Sequence, residues 1–156
     1  MIRVPFHATY FHFVEEFVAA SGSFHHGFIE DGQLSDAPII SIVDDDDTMR
    51  CAMKSLVMSL GLRVHTFRSA EEFLQSPHVD DTSCLITDVQ MPGLSGVELQ
   101  KRLIADGHRM PVIFMTAFPD ERTRACAMKS GALGFLSKPF SDDSLIECLD
   151  RAFGRG

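Results

Sequence analysis

The stretch CLITDVQMP, residues 84 to 92, runs through a short apolar segment into a single carboxylate, Asp88, before a proline. Three other apolar runs end in groups that can also do chemistry. IISIV at 39 to 43 leads into Asp44-Asp45-Asp46-Asp47, PVIFM at 111 to 115 into Thr116, and LGFL at 133 to 136 is followed by Lys138. If Asp44, Asp45 and Asp88 face one another, three carboxylates share a small space, which is unfavourable unless protons or a cation relieve the repulsion. A few hard oxygen ligands, with room left for water and a phosphate oxygen, suit Mg²⁺ better than a soft or fully caged metal. Lys138 adds a positive charge and Thr116 a hydroxyl. Together these groups describe a pocket for a phosphoryl group carried on a carboxylate, because an aspartate can attack phosphorus while cations neutralise the transferring oxygens. Asp46 and Asp47 read more simply as caps of the helix that follows.

The elements that must position these groups are legible as alternating periods. The runs at 39–43, 62–66, 84–87, 111–115 and 133–136 read as strands. From Thr48 to Leu60, Met49, Ala52, Met53, Leu56, Val57 and Leu60 fall on one helical face. Ser69 followed by Glu72 has the pattern of a capping box, opening a short helix through Leu74 that Pro77 closes. Ser95 opens a third helix with Val97, Leu99, Leu103 and Ile104. Asp120 to Ser130 makes a fourth, ended by Gly131, and Ser141 to Phe153 a fifth, with Leu145, Ile146, Leu149 and Phe153 inward. The count is (βα)5. Parallel crossovers then give an α/β fold, a doubly wound five-stranded parallel sheet with helices on both faces. Such sheets bind ligands beyond the carboxyl ends of their strands, where Asp44, Asp88, Thr116 and Lys138 fall.

Taken jointly and in order, VDDDDTMR, ITDVQMPGLSGVEL, IFMTAF and GALGFLSKPF resemble the receiver domain of two-component response regulators, a CheY-like, flavodoxin-like family, with wording most similar to FixJ-type receivers. The resemblance covers residues 39 to about 153. It implies that Asp88 is the phosphoacceptor, that Asp45 and Asp88 bind Mg²⁺ directly with the backbone carbonyl of Gln90, and that Asp44 helps through water. It implies that Thr116 and Lys138 hold the phosphoryl oxygens and that Phe135 is the switch aromatic, rotating inward as Thr116 moves. A cis Lys138-Pro139 bond, a loop after the acceptor shaped by Pro92 and Gly93, and a family glycine matched by Gly96 belong to the same pattern. The implied donor is a sensor histidine kinase or a histidine phosphotransfer protein. The implied readout is the face of helix four, strand five and helix five, which can make a phosphorylation-dependent homodimer or grip an effector. The chain's own chemistry is then acceptance and slow hydrolysis, not enzymatic turnover of a substrate.

Composition narrows the alternatives. A formal net charge of −8 with scattered basic residues argues against direct nucleic-acid binding. The four cysteines, Cys51, Cys84, Cys126 and Cys148, stand singly in apolar segments, which predicts reduced, buried thiols and a cytoplasmic protein. No apolar run approaches the roughly 18 residues of a spanning helix. Met53, Met58, Met91 and Met128 read as core or interface filler. The seven histidines show no metal spacing, and His25-His26 is at most an adventitious contact. Residues 1–37 read as an extension before a receiver at 38–156. The extension is weakly structured or partly helical, with Phe6, Tyr10, Phe13 and Phe17 at helical spacing, or translated upstream sequence if Leu34 marks an alternative start. A stand-alone receiver is the favoured organisation, against the receiver portion of a FixJ-type transcription factor or a phosphate sink. A Mg²⁺-dependent phosphatase with an aspartyl nucleophile is the alternative from another class. Such enzymes generally need a second acid two residues after the nucleophile, where this chain has Gln90.

Overall fold

The computed structural model describes residues 37–154. The helical spacing expected at Phe6 to Phe17, the His25-His26 pair and the alternative start at Leu34 lie outside these residues. Ten elements alternate: β1 (Ile39–Val43), α1 (Asp47–Ser59), β2 (Arg63–Phe67), α2 (Ala70–Gln75), β3 (Cys84–Asp88), α3 (Gly96–Ala105), β4 (Val112–Thr116), α4 (Glu121–Lys129), β5 (Gly134–Ser137) and α5 (Asp142–Ala152). The strands form one parallel sheet in the order β2-β1-β3-β4-β5, the doubly wound (βα)5 architecture read from the alternation of periods.

Each of the three central strands is buried along its whole length because both faces of the sheet are covered. Ile40, Ile42, Ile86, Ile113 and Met115 point to one core with Met53 and Val57 of α1 and Leu145 and Leu149 of α5. Val43, Leu85, Val112 and Phe114 point to the other, with Phe73 of α2, Leu99 and Leu103 of α3 and Ala127 of α4. Alternation along each strand thus serves two cores, and no strand needs a polar face.

The strands lie up to one residue later than the sequence pattern suggested. Ladder pairing of Asp88 with Met115 and of Thr116 with Ser137 carries β3 and β4 into the polar residues, so both groups are the last residues of their strands. In α1, Ala52 is exposed, not inward. In α3, Ile104 is 51% exposed. Ser69 caps α2, accepting from the Glu72 amide at 3.1 Å, but Glu72 Oε2 accepts from the Arg68 amide, one residue before the cap, so the reciprocal box expected there does not close. The closed box is at α3, where Ser95 and Glu98 exchange both bonds at 3.2 and 2.8 Å. Cys84 and Cys148 are buried as expected, Cys126 is half-buried, and Cys51 is exposed because α1 turns it to solvent. Of the four methionines read as core or interface filler, Met53 and Met91 are buried, whereas Met58 and Met128 stand out from the surface.

Candidate functional site

The β1–α1 turn carries the first acids. Asp44 is fully buried, and all its hydrogen-bonding atoms are engaged: its amide donates to Phe67 O (3.1 Å), its Oδ1 accepts from the Asp46 amide (2.9 Å), its Oδ2 from Lys138 Nζ (3.0 Å), and its carbonyl from Arg50 Nη1 (2.8 Å). Asp46 is the N-cap of α1, accepting from the amides of Thr48 and Met49, and Asp47 lies in the first turn, paired with Arg50. That division matches the capping role read from the run of four acids. Asp45 is exposed, and no hydrogen bond or ion pair among the described residues engages its carboxylate.

Asp88 ends β3 one strand away, 7% exposed. Its Oδ1 accepts from the Gln90 amide at 3.0 Å, which curls the loop back over the strand end, and its Oδ2 accepts from Lys138 Nζ at 2.8 Å. Carboxylate oxygens of Asp44, Asp45 and Asp88 all lie within 4.8 Å of one another. One ammonium therefore bridges two acids while a third stands at the open side. Burial pushes the Asp88 carboxyl above the ordinary carboxylate range, against the pull of the Lys138 and Gln90 hydrogen bonds. Burial works against the Lys138 charge too, but its bonds to Asp88 and Asp44 outweigh it and hold its pKa above the usual lysine value. The surplus of acid over lysine is the electrostatic signature of a site that gains from another cation. The three carboxylates form a hard oxygen set, which fits Mg²⁺.

Thr116 is 1% exposed, and its Oγ1 accepts from the Phe118 amide at 3.1 Å. Its carbonyl accepts from the Lys138 amide at 2.8 Å, so the backbone ties the hydroxyl-bearing strand end to the lysine. The Lys138-Pro139 peptide is cis. Phe135 is half-buried and pairs across the ladder with Phe114, ring centroids 6.2 Å apart. Every site residue singled out from the sequence thus falls on the carboxyl edge of the sheet or, for Phe135, one strand layer beneath it.

The sequence reading gave no role to three supporting residues. Arg50 lies within the VDDDDTMR motif, but its reach back to the Asp44 carbonyl depends on the turn. Glu71 of α2 accepts from the Leu94 amide at 2.7 Å, tying the loop after Asp88 to a helix 23 residues earlier in the chain. The amides of Glu71 itself and of Leu94 hold its carboxyl below the usual range. Gly96, noted only as part of a pattern, has a physical reason: a Cβ there would lie 2.2 Å from the Asp88 carbonyl oxygen.

A doubly wound sheet of this order, with acids ending its first and third strands and a lysine after its fifth, defines a CheY-like receiver. The chain belongs to the response regulator receiver domain family of two-component systems, whose description matches residues 40–150. It is 43% identical to nodulation protein W of Bradyrhizobium diazoefficiens over 123 residues, 79% of this chain and 54% of that one. It is also 43% identical to the transcriptional regulatory protein FixJ of Azorhizobium caulinodans over 116 residues, 74% of this chain and 55% of that one. The chain spans about half the length of these curated relatives. The crystal structure of FixJ-N superposes with a TM-score of 0.67 at 36% identity, covering 74% of this chain and 93% of that one. A response regulator receiver domain from Clostridium thermocellum gives 0.71 at 30% identity, over 76% and 95%. No helix among the described residues is long and apolar enough to cross a membrane.

Proposed function

We propose that this receiver, residues 38–156, is a working phosphoacceptor in a phosphorelay, and that Asp88 takes a phosphoryl group from the phosphohistidine of a sensor histidine kinase or histidine phosphotransfer protein. The observation that carries the reading is the single Lys138 ammonium, 3.0 Å from Asp44 and 2.8 Å from Asp88, beside three carboxylates within 4.8 Å. A carboxylate oxygen of Asp88 forms the new bond to phosphorus. The P–N bond of the donor breaks, and its electron pair returns to the imidazole, which gains a proton from solvent. Asp45, Asp88 and the Gln90 carbonyl would hold Mg²⁺, with Asp44 contributing through water. Bound there, Mg²⁺ supplies positive charge against the phosphoryl oxygens.

Lys138 turns from its acid partners to the incoming oxygens, and the Thr116 hydroxyl exchanges its Phe118 amide for a phosphoryl oxygen. The added charge of about −1.5 to −2 requires this compensation in so acidic a site. Movement of Thr116 opens room toward Phe135, and the α4-β5-α5 face then changes for an effector or a second copy of the chain. The cytoplasm, where histidine kinases present their phosphohistidine, is the compartment this reading implies.

The test is intact mass after incubation with acetyl phosphate and Mg²⁺. The reading expects a labile gain of one phosphoryl group, absent without Mg²⁺ and absent in Asp88→Asn. An adduct that persists in Asp88→Asn would overturn the assignment of the acceptor. Sedimentation of the phosphorylated protein tests the homodimer, and an unchanged coefficient on a fully modified sample removes it.

A further inference from the structure

We infer that Arg50 is a positioning residue for the cation site: by gripping the carbonyl of Asp44, it fixes the peptide plane that joins the buried acid to the exposed one. The inference rests on the phosphoacceptor reading above.

Asp44 is held at both carboxylate oxygens and at its amide, so its side chain has little freedom of its own. Asp45 differs, since its carboxylate is exposed and nothing among the described residues engages it. Where that carboxylate stands relative to Asp88 is therefore set by the backbone, first by the rigid plane containing the Asp44 carbonyl and the Asp45 amide. Arg50 Nη1 donates to that carbonyl at 2.8 Å, from a side chain only 11% exposed, while Nη2 pairs with Asp47. Two nitrogens of one planar fork thus clasp the turn and the first turn of α1 together, a geometry that lysine cannot copy. Removing the fork frees the peptide to rotate and carries Asp45 away from the other two acids.

A competing effect has the opposite sign. A guanidinium near three carboxylates repels a divalent cation, so its loss would tighten binding. The pairing with Asp47 cancels much of that field at short range, and positioning therefore dominates. Loss of a residue that orients a metal ligand typically weakens affinity by about 10–100-fold. With the carbonyl one bond removed from the ligand residue, Arg50→Ala is expected near the lower end, about tenfold weaker.

The experiment measures Mn²⁺ affinity from the free-ion electron paramagnetic resonance signal, in the full chain and its variants. Arg50→Ala should bind about tenfold more weakly and, without metal, shift the backbone amide resonance of Asp45. Arg50→Lys, which keeps the charge but not the fork, should fall between it and the wild type and serves if the alanine variant does not fold. Asp47→Asn, which removes the neutralising charge but leaves the carbonyl contact, should stay within about twofold. Unchanged or tighter binding in folded Arg50→Ala overturns the inference, as does Arg50→Lys binding like the wild type or a loss in Asp47→Asn equal to that in Arg50→Ala. If the wild type binds no Mn²⁺ and accepts no phosphoryl group, the functional reading fails and takes the inference with it; if it does both, only the role of Arg50 is at stake.

Discussion

Gly96→Ala should be costly although its backbone conformation permits alanine. Gly96 is the first residue of α3 and is not in the left-handed region, so replacing a glycine there would ordinarily stabilise the protein by about 0.4–1 kcal/mol through the unfolded chain. Space decides otherwise. The added Cβ would lie 2.2 Å from the Asp88 carbonyl oxygen, 3.1 Å from its carbonyl carbon and 3.2 Å from Val89 Cα, where real Cβ atoms essentially never come closer than 3.0 Å. All three are backbone atoms of the segment that carries Asp88, so no rotamer change relieves them. The start of α3 must retreat, stretching the Gly96 amide's 2.9 Å hydrogen bond to Val89 O. Overpacking costs about 1–3 kcal/mol, and a backbone contact belongs at the upper end. Subtracting the unfolded-state gain leaves a loss of roughly 2–2.6 kcal/mol, or a fall in Tm of about 8–10 °C for a domain of this size. Urea and thermal unfolding measure the loss, and acetyl phosphate labelling of the same variant measures the displacement of Asp88. An alanine variant that melts at or above the wild-type temperature, with undiminished labelling, would refute the reasoning.

Three further predictions concern protonation and thiols. Because burial raises the Asp88 carboxyl, its contribution to stability is present below the ordinary carboxylate value of 3.8 and is lost as pH rises through its folded value; metal-free Asp88→Asn should therefore melt above the wild type at neutral pH, and a lower Tm there would contradict the sign. The rings of His65 and His78 stack at 3.8 Å, and burial, His78 and Arg63 lower the His65 pKa. The folded state then binds fewer protons than the unfolded chain, so stability is full above about pH 6.5 and declines as pH falls below it; His65→Phe should flatten that part of the Tm profile, and an unaltered slope would exclude His65 as its source. Burial raises the Cys84 thiol pKa to about 12, whereas Cys51 is exposed, so a disulfide reagent should modify Cys51 at least about a hundredfold faster, with equal rates in peptide mapping counting against the assigned burial.

What the sequence made legible is what short-range patterns carry. Short apolar runs against segments of period 3.6 located all five strands and five helices, because burying both faces of a parallel sheet leaves uninterrupted apolar runs that stop abruptly at polar strand ends. The same abrupt stops exposed Asp44, Asp88, Thr116 and Lys138. Strand ends shifted by a residue because ladder pairing, not side-chain polarity, decides where a strand stops. The misplaced capping box has a similar cause: Ser69 and Ser95 are both followed three residues later by glutamate, and only tertiary context decides which glutamate reaches its own cap.

The supporting contacts were illegible because they join side chains to backbone atoms across turns whose shape no local pattern specifies. Arg50 holds the Asp44 carbonyl, Glu71 the Leu94 amide, and Gly96 leaves space for the Asp88 carbonyl. None of the three touches the carboxylates of Asp45 or Asp88 in these contacts. That has a chemical consequence. A side chain that fixed the acids by hydrogen-bonding their oxygens would occupy the lone pairs that a cation or phosphorus needs. Holding the backbone instead leaves those oxygens to Lys138, the Gln90 amide and solvent. For the proposed function, in which a cation and a phosphoryl group both bind and leave, positioning through main-chain atoms is the better solution, since the acids then arrive preorganised without being spent on the scaffold.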